Sequence, residues 1–315
     1  MARRSAPTTH PVPDVRTRPL AAEVVRSLRP HQWTKNLFVF AGLIFGQRLL
    51  QAEALAAAVM AFAIFCALSS AVYLINDVRD RDADRRHPIK SRRPVAAGTV
   101  SVGTALTLAG LLSGVALAGA FALLPQTFGF GYIATGYLVL LSLYSFSLKH
   151  LVILDVLTIA VGFVLRAWAG AAAVEVDFSH WLLLLMLLGA LFLALNKRRA
   201  ELVGLTSGAT GHRPSLAEYS PQLLDQMIGI VASATVLGYA FYTIDQETVT
   251  KFGTERLLWT VPFPLYGLFR YLYLVHQRAG GDNPSEILLT DRPIIACVVL
   301  WVAVVVLIIY VAPGA

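Results

Sequence analysis

The sequence predicts an all-α integral membrane protein with nine transmembrane helices. Three observations predict it. Charged residues make up 14% of the 315 residues, against roughly 25% in a soluble domain. Mean hydropathy is +0.65, and the apolar residues fall into long runs rather than a short-period pattern. This composition excludes an ordinary soluble domain, a disordered chain and a collagen-like chain.

In chain order the apolar runs cover 33–49, 54–75, 100–124, 127–147, 150–174, 178–195, 222–244, 257–275 and 293–313. Lys35 stands near the start of the first, and Pro262, Pro264 and Arg270 fall in the eighth, so these two are expected to tilt or kink. With the N-terminus inside, 22 lysines and arginines lie in inside segments: up to Lys35, 76–99, Lys149, 196–221 and 270–292. Only Arg48, Lys251 and Arg256 fall outside, while Arg166 lies within the fifth run. That asymmetry requires an odd number of spans, with a cytoplasmic N-terminus and the C-terminus outside.

Residues 1–30 carry Pro7, Pro11 and Pro13 and no apolar core, which predicts a mobile basic tail ahead of a single transmembrane domain at 31–315. Leu20 to Leu28 alternates apolar and charged residues at helical spacing, as a short helix on an anionic leaflet would. The Gly, Ser and Thr content of 204–214 predicts a flexible loop, with a capping box at Ser215 to Glu218 and an N-cap at Ser220 before Pro221. Cys66 and Cys297 sit in apolar runs without CxxC spacing or paired histidines, and read as small core residues. No internal repeat is present at residue level.

The chemistry concentrates where the second run ends, in NDVRDRDAD at 76–84. On a continuing helix Asp77, Asp80 and Asp84 lie at about 0°, 300° and 340°, whereas Asp82 lies at about 140° and points away. Stacked carboxylates repel unless a cation joins them, and oxygen ligands without nearby His or Cys favour Mg²⁺. A solvated charge run balanced by Arg79, Arg81, Arg85 and Arg86 is the plainer alternative. Pro88 then stops the helix, and Lys90 and Arg93 turn back toward the acids. Acids beside cations suit a metal-bridged diphosphate, with the cations stabilising charge as it departs. Positive-inside anchoring explains the cations alone equally well, but not the acids.

Arg166 and Asp155 stand eleven residues apart, within about 20° of one helical face. An arginine at membrane depth must face the bundle interior, so Arg166 is expected either to hold a substrate phosphate or to pair with Asp155.

NDVRDRDAD followed by HPIKSRRPVAAG resembles the first aspartate-rich motif of the UbiA superfamily of intramembrane transferases. RPHQWTKNLFVF at 29–40, YSFSLKHLVILD at 144–155, GFVLRAWAG at 162–170, NKRRAEL at 196–202 and LYGLFRYLYLV at 265–275 are most similar to one branch. That branch moves 5-phosphoribose from phosphoribosyl diphosphate to a polyprenyl phosphate for bacterial cell-wall arabinan. The resemblance implies a UbiA-type bundle in the bacterial plasma membrane with a cytoplasmic active-site mouth. It also implies metal and diphosphate on Asn76, Asp77, Asp80 and Asp84, phosphate on Lys35, Lys90 and Arg93, and a second motif at Tyr144 and Lys149.

The DxxxD motif of the superfamily's prenyltransferases is missing. Asn196, Lys197, Arg198 and Arg199 stand there instead, and Lys197 and Arg198 would suit the donor's 5-phosphate. Interfacial anchoring is their alternative role. The net charge of +7 is accordingly assigned to lipid and phosphate partners rather than nucleic acid, with a homo-oligomer left open. A prenyltransferase of the same fold is the rival enzyme. A transporter, the rival non-enzyme, would place its polar residues at the membrane midplane rather than at one rim.

Overall fold

The computed structural model describes residues 19–311 apart from 128, 178, 207–213, 278–286 and 289. All regular elements among them are helical. The chain opens with α1 (Leu20–Leu28), which ends at Arg29 in the left-handed region (φ 54°). A 3₁₀ segment, Pro30–Phe40, follows and runs into α2 (Ala41–Phe45). The long α3 (Ala52–Arg79) leads to the short α4 (Arg81–Arg86) and α5 (Pro94–Ala97). Next come α6 (Val102–Ala122), α7 (Phe130–Phe146), α8 (Leu154–Ala173) and α9 (His180–Thr206). The chain closes with α10 (Pro221–Ile244), α11 (Gln246–Phe252), α12 (Pro262–Gln277) and α13 (Arg292–Val306), the last continued by one π-helical turn, Leu307–Val311.

Six of these helices are long and apolar enough to cross a membrane: α3, α6, α8, α9, α10 and α13 with its continuation. The apolar α7 has 17 residues. The nine uniform spans expected from hydropathy are therefore not all continuous α-helices. The first run is 3₁₀ only to Phe40 and then the five-residue α2, and the eighth is a 3₁₀ turn, Arg256–Thr260, followed by the 16-residue α12. These are the two runs in which charge and proline interrupt the apolar pattern.

Local signals set several ends. Ser101 accepts from Thr104 N at 3.0 Å to start α6, and Ser220 accepts from Leu223 N at 3.1 Å with Pro221 in the first turn of α10. The capping box expected at Ser215 is absent: Pro214–Glu218 is a 3₁₀ turn, and Ser215 Oγ donates to the Lys149 carbonyl at 3.1 Å. Most of the expected loop at 204–214 lies outside the described residues, and Gly204 still belongs to α9. Helix α1 packs on α3 and α5 through Val24 and Leu28, while Leu20 and Val25 face outward.

The 3₁₀ segment determines which residues reach the interior. Three residues per turn place i, i+3 and i+6 on one edge. Trp33, Asn36 and Val39 form the edge against the bundle: Trp33 Nε1 donates to Ser70 Oγ at 3.0 Å, Asn36 Nδ2 donates to Ser69 Oγ at 3.1 Å, and Val39 is fully buried. Such a long 3₁₀ run is uncommon, and here it is held by close backbone approach to α8. A Cβ on Gly170 would stand 1.8 Å from the Val39 carbonyl oxygen, and one on Gly42 would stand 2.5 Å from Ala171 Cα.

Gly170→Ala should therefore destabilise the protein by about 1–3 kcal/mol or more through forced separation of the 3₁₀ segment from α8. Gly114→Ala, where an added Cβ meets nothing within 4 Å, should be neutral or stabilising by up to about 1 kcal/mol. Thermal unfolding in detergent separates the two, and equal midpoints would contradict the close-approach account.

Candidate functional site

A cavity of about 900 Å³ opens at the end of the bundle where α3 emerges. Arg29, Gln32 and Lys35, the second edge of the 3₁₀ period, form one wall. Tyr73, Asn76 and Asp77 come from α3, Asp80 and Asp84 from its continuation, and Lys90 and Arg93 from the following hairpin. Tyr144 at the end of α7, Lys149, and Lys197 on α9 complete it. Nine lysines and arginines line the cavity against three aspartates, so most of the molecule's excess positive charge meets here.

The helix is interrupted at Asp80 (φ −91°, ψ 4°), but its hydrogen bonding carries across. Asp80 N donates to Asn76 O at 2.9 Å and Asp84 N to Asp80 O at 2.8 Å. Asp77 and Asp84 are consequently buried facing the cavity, whereas the side chain of Asp82 is 86% exposed. The hairpin is held by His87, whose Nδ1 accepts from Ile89 N at 3.2 Å and Lys90 N at 3.3 Å. Partial burial, then the neighbouring Lys90, pushes the His87 imidazole below its ordinary value, which favours this neutral, accepting form.

Each carboxylate faces a cation from another element. Asp77 pairs with Arg29 and, at 3.3 Å, with Arg93 Nη1. Asp84 pairs with Arg93 at 2.6 Å. Asp80 pairs with Lys149 and accepts from Asn76 Nδ2 at 3.1 Å. Burial lowers the Arg29 guanidinium from its ordinary value, with Asp77 opposing, and Arg29 also lies 5.0 Å over the Tyr73 ring.

Among the described residues no three His, Cys, Asp or Glu side chains converge to hold a metal ion. The three carboxylates expected to hold the metal, Asp77, Asp80 and Asp84, are each paired with a cation here: Arg93 Nη1 bridges Asp77 and Asp84, and Lys149 takes Asp80. One feature does fit a divalent cation: Asp77 Oδ2 is buried with no hydrogen-bond partner, although its other oxygen is paired. A hard cation held by one or two carboxylates and completed by phosphate oxygens and water matches this donor set.

The structure brings together ten of the thirteen residues singled out in the sequence: Asn76, Asp77, Asp80, Asp84, Lys35, Lys90, Arg93, Tyr144, Lys149 and Lys197. Asp155, Arg166 and Arg198 do not line the cavity. Arg166 does not pair with Asp155; it donates to Asn36 Oδ1 at 2.8 Å, Gly162 O at 2.9 Å and Tyr137 Oη at 2.6 Å. The shared face was real but the reach was not, since eleven residues span about 16 Å along a helix. Asp155 instead accepts from Arg198 Nε at 2.6 Å and Tyr219 Oη at 2.9 Å, so Arg198 is turned inward into a buried pair. Arg29 was missed, although its spacing to Gln32 and Lys35 would have exposed it to a three-residue period.

A bundle of membrane-length apolar helices opening on three carboxylates and a large excess of cations has the charge to suit a polyanion. A family model described as the UbiA prenyltransferase family matches residues 36–289, and the chain belongs to that family. A Mycobacterium tuberculosis protein named decaprenyl-phosphate phosphoribosyltransferase is 36% identical over 299 residues, covering 93% of this chain and 97% of that relative. A Corynebacterium glutamicum protein of the same name is 34% identical over 312 residues, covering 93% and 89%. Among solved structures, a UbiA homolog from Archaeoglobus fulgidus bound to GPP and Mg2+ superposes with a TM-score of 0.70 at 21% identity, over 92% of this chain and 100% of that one. The same homolog bound to Cd2+ gives 0.66 at 18% identity, with 92% and 100% covered. These likenesses show the fold.

Arg166→Met strands Asn36 Oδ1 and the Tyr137 hydroxyl, at about 1–3 kcal/mol for each buried group left unsatisfied. It should lower the unfolding midpoint in detergent, and adding Asp155→Asn should lower it further. Recovery in the double variant would restore the discarded Asp155–Arg166 pairing.

Proposed function

We propose that this chain transfers 5-phosphoribose from phosphoribosyl diphosphate to a polyprenyl phosphate and releases diphosphate. The observation that carries it is the cavity itself: an excess of cations around a buried carboxylate with one unsatisfied oxygen, in a family member whose near full-length relatives bear the phosphoribosyltransferase name. Arg29, Lys35, Lys90 and Arg93 hold the donor's phosphate oxygens, Lys149 with Asn76 orients the diphosphate beside Asp80, and Lys197 takes the 5-phosphate. Asp77, with its unsatisfied Oδ2, would hold a Mg²⁺ ion together with Asp80 and Asp84. That ion would neutralise charge on the departing diphosphate.

The bond from ribose C1 to the diphosphate oxygen breaks while one from C1 to the lipid phosphate oxygen forms. An ionised phosphate needs no general base, so the residues act by positioning and by stabilising the leaving group. We further read 31–315 as one transferase domain preceded by a 1–30 tail whose α1 is an interfacial helix, with nine membrane crossings counting the 3₁₀ and short segments, and the cavity mouth and N-terminus in the cytoplasm of a bacterial cell. The lysine and arginine asymmetry supports that orientation.

A prenyl diphosphate donor is the second reading. It is disfavoured by Asn196 and Lys197 where that class carries aspartates. Purified protein incubated with Mg²⁺, labelled phosphoribosyl diphosphate and short polyprenyl phosphates should yield a labelled lipid, and none with prenyl diphosphate and hydroxybenzoate. The opposite pattern would replace this reading with the second.

In the same assay Asp77→Asn and Asp80→Asn should each lose about 10²-fold or more of kcat/KM. Asp82→Asn, whose side chain stands in solvent, should stay within about twofold. An Asp82→Asn variant as inactive as Asp80→Asn in folded protein would refute the assignment of faces.

A further inference from the structure

We propose that Tyr219 is a positioning residue for Lys149, its hydroxyl locking the tight turn at Ile153 that presents Lys149 to the cavity. The inference deepens the diphosphate-site reading and rests on it for Lys149's role.

Ile153 has φ 68° and ψ −47°, just before α8. Leu154 N donates to Val152 O at 2.8 Å across it, which makes a classic γ-turn, a rare and strained geometry. A β-branched residue at positive φ persists only when its surroundings over-determine it. The surroundings here are Tyr219: Ile153 N donates to its Oη at 2.7 Å, and the same hydroxyl donates to Asp155 Oδ1 at 2.9 Å. The second oxygen of the fully buried Asp155 is taken by Arg198 Nε at 2.6 Å. Burial pushes the Tyr219 phenol up to about 12, so it remains a donor across the working pH range.

The strained turn has a defined output. Four residues upstream, Lys149 is buried against Asp80 and within 3.3 Å of Asn76 Oδ1, on the cavity side. Its carbonyl accepts from Ser215 Oγ at 3.1 Å, so the segment holding Tyr219 grips the Lys149 turn at both ends. Without the phenol, Ile153 can relax to an extended or helical φ, and the displaced stretch is the one bearing Lys149. Glycine at 153 would hold φ 68° without strain.

The test reads ligand-free structure and ligand binding separately. Amide hydrogen exchange of full-length protein should speed up at 147–155 in Tyr219→Phe, with α6 unchanged, and Ser215→Ala should do so more weakly. Calorimetry with inorganic diphosphate and Mg²⁺ should show binding weakened about fivefold to tenfold by Tyr219→Phe. The same change in a Lys149→Ala background should cost nothing further, and Ile153→Gly added to Tyr219→Phe should restore the affinity. An equal loss in both backgrounds, no rescue by glycine, or unchanged exchange at 147–155 would each overturn the proposal. If the unaltered protein ignored diphosphate altogether, the donor-site reading would fall, and the exchange result would still decide whether Tyr219 locks the turn.

Discussion

A guanidinium inside an apolar bundle, with no carboxylate partner among the described residues, governs the architecture around it. Arg166 must find oxygen acceptors within reach or bear the full cost of leaving water. It takes them from three directions: its own helix at Gly162, α7 at Tyr137 and the 3₁₀ segment at Asn36. The Tyr137 and Phe163 rings lie 4.7 and 5.1 Å from its charge centre and add their faces. Asn36 therefore has one orientation, and at three residues per turn that orientation also sets the neighbouring edge, about 120° round, where Arg29, Gln32 and Lys35 face the cavity. An arginine that touches no cavity surface thus decides which cations do.

The cavity's charges are paired in a way that leaves them exchangeable. Nine cations around three carboxylates repel one another, and two like charges a few ångströms apart cost a few kcal/mol at an effective dielectric near 20. The aspartates relieve part of this: Asp77 joins Arg29 and Arg93, and Asp80 joins Lys149. They cannot relieve all of it, and Asp77 keeps an oxygen with no donor. A polyanion entering with a divalent cation would satisfy both deficits together, anion to the cations and metal to the carboxylate. Either component alone would leave one sign of charge worse balanced than before.

Much of this was legible in the sequence, and the failures have physical causes. Hydropathy located all the long helices, and the 100° rule foresaw that Asp82 would turn outward, since that rule depends only on a helix that nearly continues through Asp80. Hydropathy did not distinguish the segment at 30–40, because apolar composition cannot tell an α-helix from a 3₁₀ segment, and the two periods put different residues on a face. The 100° rule misled for Asp155 and Arg166, where angle alone was used and the rise along the axis was ignored. Tyr219 carried no signal, since its role depends on a backbone φ at Ile153 that residue identity argues against.

The α9 positions that replace the missing aspartate motif show how far charge alone can specify a site. Lys197 and Arg198 are adjacent, so they stand about 100° apart on the helix and cannot serve one ligand together. Lys197 lines the cavity; Arg198 goes to Asp155 and Glu201 inside the bundle. Asn196, fully buried, spends its amide nitrogen on Phe192 O at 2.8 Å. The replacement therefore contributes one cation to the cavity, not two, and removes the anionic wall that a second metal would require. On the proposed chemistry, preference for a donor with an extra phosphate then turns on Lys197 lining the cavity from α9, as Lys35 does from the 3₁₀ segment, while Arg198 serves the pair that keeps α8 and the Lys149 turn in register.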